Sequence, residues 1–314
     1  MGAREDIAGL VADPATEPML RAELEQATAM LDFAASELAL PDNGSYRAYV
    51  DIGRPYVVVN VVATPELSLD PVTWCFPVAG CVSYRGYFDL EEARVFALGL
   101  ADAGYDVTLS PATAYSTLGW FNDPLPSTIL ARGEVQLAGT LFHELSHQRV
   151  YVAGDSMFNE SYAVTVEREG VRRWLRAHGG SAAIAAYDAN LRREAAFLDL
   201  ILGARAELDA LYRSSASDEE KHAGKAAIFA ALRRDYARLK ASWGGYAGYD
   251  GWFERDLNNA HLAAIGTYEE HVAAFEALLR REGGDMAAFH AAVEALAALP
   301  RVERDAALAA LERG

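Results

Sequence analysis

From Glu17 to Leu38, apolar side chains fall at Leu20, Leu24, Ala27, Met30, Leu31, Ala34 and Leu38. Steps of three and four residues gather these positions into one stripe of a helix, which the turn-forming "PDNGS" beginning at Pro41 ends. The pattern then changes period. "YRAYVDI" and "YVVVNVVAT" are rich in Tyr and Val and predict strands on a buried sheet. A helix is predicted from Leu90 to Ala103, stopped by Gly104, and "YDVTLSPATAY" predicts another short strand. After the turn-rich "GWFNDPLPS", everything from Gly133 onward reads as helix, broken at "VAGD", "HGGS", "RSSASDEE", "GGYAGYDG" and "REGGD". No fixed-period repeat stands out.

These elements predict an α+β fold that is predominantly α-helical, with a mixed first half feeding an all-helical second half. The expected division is residues 1–178, carrying the sheet and the candidate chemistry, and residues 179–314, a helical region packed against it and completing a cleft. Length supports a large core: 314 residues at 52% hydrophobic content fit one large domain or two closely packed lobes. Charge narrows the partners. Acidic residues outnumber basic ones by 45 to 28, a net charge of -17, which repels phosphate backbones and argues against nucleic acid or anionic membranes. No apolar run reaches the roughly 20 residues a spanning helix needs, and "MGAREDIAGLVADP" has no apolar signal core, so the chain as it stands is expected to be soluble. The two cysteines, Cys75 and Cys81, lack the paired histidines of a zinc knuckle and read either as two buried thiols or as one short-loop disulfide. Export would favour the disulfide.

The candidate chemistry lies in "LFHELSHQRVYVAGDSMFNESYA". His143-Glu144-Leu145-Ser146-His147 fits H-E-x-x-H: on a helix, residues four apart share a face, so both imidazoles can reach one ion while Glu144, at the edge of that face, would touch its water. Leu137, Leu141, Leu145 and, one step later, Val152 supply the apolar stripe of that helix. The motif alone arises by chance in about one chain in a hundred of this composition. The residues downstream strengthen it. Gly154 breaks the helix, Asp155 or Ser156 can cap a second one, and Glu160 falls on its first turns as a third ligand. Glu167, seven residues on and on the same face, is the competing third ligand; with Glu160 in that place it would instead orient a histidine N–H.

The H-E-x-x-H helix followed by Asn159-Glu160-Ser161-Tyr162-Ala163 resembles the gluzincin metallopeptidases. More specifically, "CFPVAGCVSYRGYF", "AYSTLGWFNDP", "FHELSHQ", "FNESYA" and "GVRRWL", in this order, resemble the bacterial putative zinc aminopeptidase family over nearly the whole chain. The resemblance implies a zincin-like catalytic region with a small mixed sheet packed on the H-E-x-x-H helix. It also implies one zinc ion held by His143, His147 and Glu160, Glu144 as catalyst, and peptides or proteins as substrates. The interval from His147 to Glu160 is shorter than in well-known gluzincins, which keeps Glu167 in contention. Export to the periplasm or cell envelope is implied too, since members commonly begin with a lipoprotein-type signal that this chain would have lost; composition does not exclude a cytoplasmic protein.

Peptide hydrolysis of this kind needs an oxyanion donor besides the metal. Tyr268 in "NNAHLAAIGTY" is the first choice, with Tyr246, Tyr249 and His261 as alternatives. An aminopeptidase must also hold the substrate's α-ammonium group, for which Asp123 and Glu167 are candidates, and "YDVTLSPATAYSTLGWFNDP" could supply a sheet edge for the peptide or a buried strand and loop. Two other readings stand beside the aminopeptidase: an endopeptidase, and a non-catalytic binding protein on a peptidase fold.

Overall fold

A computed structural model describes residues 3–76, 80–113, 122–265 and 271–313. Helix makes up 63% of the described residues, beside small sheets, so the α+β, predominantly helical reading holds. Among the described residues no helix is long and apolar enough to cross a membrane.

The chain forms two compact units that interleave in sequence: residues 1–57, 113–184 and 267–314 make the first, and residues 58–112 and 185–266 the second. Sequence patterning instead cuts the chain once, after residue 178. The contacts follow the second unit's sheet, which packs against the short helix Asn259–Ala264 far along the chain.

In the first unit, the helix Pro18–Glu37 starts with proline at its first turn and Glu17 accepting from the Leu20 N–H, and it buries Leu24, Ala27, Met30, Leu31 and Ala34 as the periodicity requires. A three-stranded mixed sheet places Ala48–Val50 between Glu5–Asp6, antiparallel, and Leu125–Pro126, parallel. The histidine helix, Glu134–Arg149, packs chiefly on other helices: Pro18–Glu37, the short Ser127–Leu130 and the glutamate helix, Ser156–His178. Leu137, Leu141 and Leu145 are buried as expected, but the helix ends at Arg149, so Val152 lies beyond it in the connecting loop. Three further helices, Val272–Arg281, Met286–Ala297 and Arg301–Glu312, complete the unit. Phe275 and Phe289 meet Phe158 and Tyr162 of the glutamate helix in a buried aromatic group.

In the second unit, Val58–Pro65 is the central strand of an antiparallel sheet between Arg85–Tyr87 and Tyr105–Ala112, with Leu90–Asp102 packed on it. Tyr105–Ala112 is therefore an outer strand of that sheet; residues 114–121, which continue the stretch expected to offer a substrate edge, lie outside the described residues. Cys75 and Cys81 face each other across the hairpin Trp74–Phe76 and Gly80–Val82 and form a disulfide, Cα to Cα 3.9 Å, so the buried-thiol alternative falls. The long helix Gly180–Arg213 enters the unit at residue 185 and pairs with Asp218–Ser242, burying Phe197, Ile201, Leu208, Phe229 and Leu232 together.

Candidate metal centre

The site is built from two helices of the first unit. Val150 caps the histidine helix in extended conformation, Gly154 turns the chain at φ 80°, and Asp155 caps the glutamate helix by accepting from the Phe158 N–H. The loop is then locked by Asn159, whose side-chain oxygen accepts from the Val152 N–H and whose NH2 donates to the Val152 carbonyl, both at 2.8 Å. Asn159 is buried on the stripe that also holds Ala163, Val166 and Gly170. A polar residue on such a stripe must find partners. That signal is legible in the sequence, although the motif draws the eye to its glutamate alone.

Close approach of the helices depends on Gly139, one turn before His143. A Cβ there would lie 3.0 Å from a carboxylate oxygen of Glu167, tighter than ordinary contact. With hydrogen in its place, Glu167 reaches back and its Oε2 lies 3.0 Å from His143 Nδ1.

This contact separates the two glutamates that the sequence leaves in competition. Glu160 sits on the opposite nitrogen: its Oε2 is 3.2 Å from His143 Nε2, its Oε1 is 3.7 Å from His147 Nε2, and the two Nε2 atoms are 3.2 Å apart. The imidazoles meet edge to face, with ring centres 4.8 Å apart and planes at 84°. A tetrahedral ion with bonds of about 2.0–2.1 Å sets its donors about 3.3–3.4 Å apart, so these three groups already have the spacing of a shared ligand sphere. Among the described residues they are the one group of three or more His, Cys, Asp or Glu side chains so converged. Two imidazoles and a carboxylate, leaving a fourth position free, are a donor set suited to zinc. Solvent reaches the cluster on the carboxylate side, since His147 keeps 7% of its side chain exposed against 31% for Glu160.

Electrostatics point the same way. Burial disfavours a charged His143, yet Glu160 and Glu167 outweigh it and push its pKa up to about 10 in the protein alone. Burial likewise works against an ionised Glu160, and the two histidines overcome it, holding the carboxyl down at about 2. The carboxylates thus favour positive charge at the cluster.

Glu144 stands half-buried beside His143, close enough for its charge to act on that ring. Tyr151, just past the helix end, sets its ring edge toward His147 at 6.4 Å, a neighbour that no motif signals. Asp123 is buried in the first unit, with its carbonyl accepting from the Tyr46 N–H. Tyr268 lies outside the described residues. The other three candidate donors belong to the second unit. There Tyr246 lies under Arg193, whose guanidinium carbon is 4.4 Å from the ring centre, and Tyr249 stacks on Phe197 at 4.3 Å. His261 is buried, its Nδ1 2.8 Å from Asn258 Oδ1 in a reciprocal helix cap, and burial lowers its pKa to about 4.

Residues 1–308 match the model of a family described as "Putative aminopeptidase". Comparison with curated proteins and with solved structures gives no match.

Proposed function

The chain belongs to the "Putative aminopeptidase" family, and on that premise we propose that it is a zinc-dependent aminopeptidase acting on peptides. The observation that carries the metal is the convergence of His143 Nε2, His147 Nε2 and the Glu160 carboxylate at 3.2–3.7 Å. These three residues would hold one zinc ion per chain. Bound there, zinc would lower the pKa of a water toward about 7 and polarise the scissile carbonyl.

The protein's own groups divide the remaining work. Glu167 accepts from His143 Nδ1–H, which fixes the tautomer with its Nε2 lone pair toward the cluster and makes the imidazole a better donor. Glu144, one residue along the same turn, is the general base: it takes a proton from the attacking water and delivers one to the departing amine. Glu160 spreads its charge over both histidines, and Asn159 beside it holds the loop that joins the two helices. The Cys75–Cys81 disulfide supports an oxidising compartment, in keeping with export to the cell envelope.

Glu144→Gln tests the assignment. Zinc content should stay at one per chain while hydrolysis of an unblocked peptide falls by about a thousandfold or more. A fully active variant, or wild-type protein that takes up no zinc under metal-replete conditions, contradicts the proposal. Acetylating the substrate's N-terminus should abolish cleavage; continued cleavage would make the enzyme an endopeptidase.

A further inference from the structure

The chain's last helix reaches back to the start of the glutamate helix through one buried charge. Arg304 is 4% exposed and Asp155 6%. The arginine donates to Asp155 Oδ2 from Nη2 at 2.5 Å and from Nε at 3.1 Å, while Nη1 donates to the Leu299 carbonyl at 3.0 Å. Its guanidinium carbon also lies 5.3 Å from the centre of the Phe158 ring.

Asp155 has two jobs, one for each oxygen. Oδ1 accepts from the Phe158 N–H as the helix cap, and Oδ2 is gripped by Arg304. Its carbonyl accepts from the Asn159 N–H, and the Asn159 side chain holds Val152. Glu160 comes next, the fifth residue of a helix that begins at Ser156. First turns are the part of a helix that frays, because their N–H groups lack partners within the helix. Here that turn is tied from the loop side by Asn159 and from the C-terminal side by Arg304.

We infer that Arg304 is a positioning residue for the metal centre: by fixing the Asp155 cap it holds Glu160 at ligand distance from the two histidines. The inference rests on the proposed zinc site. Removing Arg304 leaves a carboxylate buried without its counter-charge, so Asp155 turns toward water, the Phe158 N–H loses its acceptor and the first turn loosens. Ligand distances tolerate only about 0.2 Å of error, so a loosened Glu160 weakens the ion's hold. A purely structural role for Arg304 would lower stability without singling out Glu160.

The test is a double-mutant cycle read by zinc affinity, measured by competition with a chromogenic chelator on the full chain: wild type, R304M, E160Q and E160Q/R304M. Loss of Arg304 should weaken zinc about tenfold when Glu160 is present and by less than about twofold when it is Gln. Equal losses in both backgrounds, or none in either, overturn the inference while leaving the metal site standing. Wild-type protein that binds no zinc, or that binds it equally well as E160Q, overturns the metal site itself. If R304M does not give a cooperative thermal melt, R304K carries the same cycle: it keeps the charge but cannot span both contacts, and its smaller loss must again vanish with E160Q.

Discussion

Two polar clusters in this chain look alike as sequence and differ in what their lone pairs do. "FHELSHQ" with "FNESYA" and "LNNAHLAAIGTY" each set histidine among amides or carboxylates in helical surroundings. In the first unit, two imidazole nitrogens and a carboxylate face one another across gaps of 3.2–3.7 Å, a spacing that one shared cation would suit. In the second unit, the polar groups are consumed by one another and by the backbone. Asn259 donates to the Glu66 and Ser68 carbonyls and accepts from the Tyr212 hydroxyl, while its N–H meets Asp106. Asn258 donates to the Val107 carbonyl and caps the short helix Asn259–Ala264 with His261. Asp106 also holds Lys225 at 2.6 Å. Polar residues that converge on one another suit an ion or a substrate; polar residues matched to backbone groups and to one another serve the fold.

The widest separation between the clusters should come from deleting a donor. H143A or H147A should weaken zinc by on the order of a thousandfold and abolish hydrolysis. N259A should leave zinc affinity unchanged and lower stability by about 3 kcal/mol in denaturant titration, because two backbone carbonyls and a tyrosine hydroxyl lose their buried partner. A zinc defect in N259A, or normal zinc binding in H147A, would break the comparison. E167Q should have a smaller effect, weakening zinc about tenfold, since Glu167 touches only the outer nitrogen of His143. Loss of all zinc binding in E167Q would return Glu167 to the ligand set.

The last contrast is a difference of sign in pH. His261 titrates near 4 when folded and 6.5 otherwise, so the unfolded chain gains a proton first and stability falls as pH drops from about 6.5 to about 4. His143 in metal-free protein is raised to about 10; its contribution is complete below about 6.5 and is lost as pH rises toward 10. Denaturant midpoints of metal-free H261N and H143N across this range should each flatten the opposite limb of the wild-type profile. The same limb flattening in both variants would contradict the assignment.

Much of this is legible locally. Apolar periodicity places Pro18–Glu37 and Leu90–Asp102 almost to the residue, and runs of Tyr and Val locate Val58–Pro65 and Tyr105–Ala112. The break at Gly154 and the Asp155 cap come from turn and capping chemistry. The features that resist reading depend on partners distant in sequence. Arg304 lies 149 residues from Asp155, and no local pattern announces the pair. The interleaving of the units escapes for the same reason, since Asn258 and Asn259 bond to strands and turns some 150 to 190 residues earlier. The unusual polarity of "NNAH" is real, and its two amides bond within the second unit; sequence reveals that a buried amide needs partners without saying whether they are backbone or substrate. Val152 falls outside its expected element because the apolar stripe continues by spacing after the helix has ended.

Two imidazoles and the Glu160 carboxylate are proposed to share one ion, with Glu167 held back on the far side of His143. Anomalous diffraction from zinc-soaked crystals, collected on both sides of the zinc absorption edge, tests this directly. One strong peak per chain is expected about 2.0–2.2 Å from His143 Nε2, His147 Nε2 and a Glu160 oxygen, with Glu167 still on His143 Nδ1. A peak ligated by Glu167 in place of Glu160, or no peak between the two histidines, would contradict it.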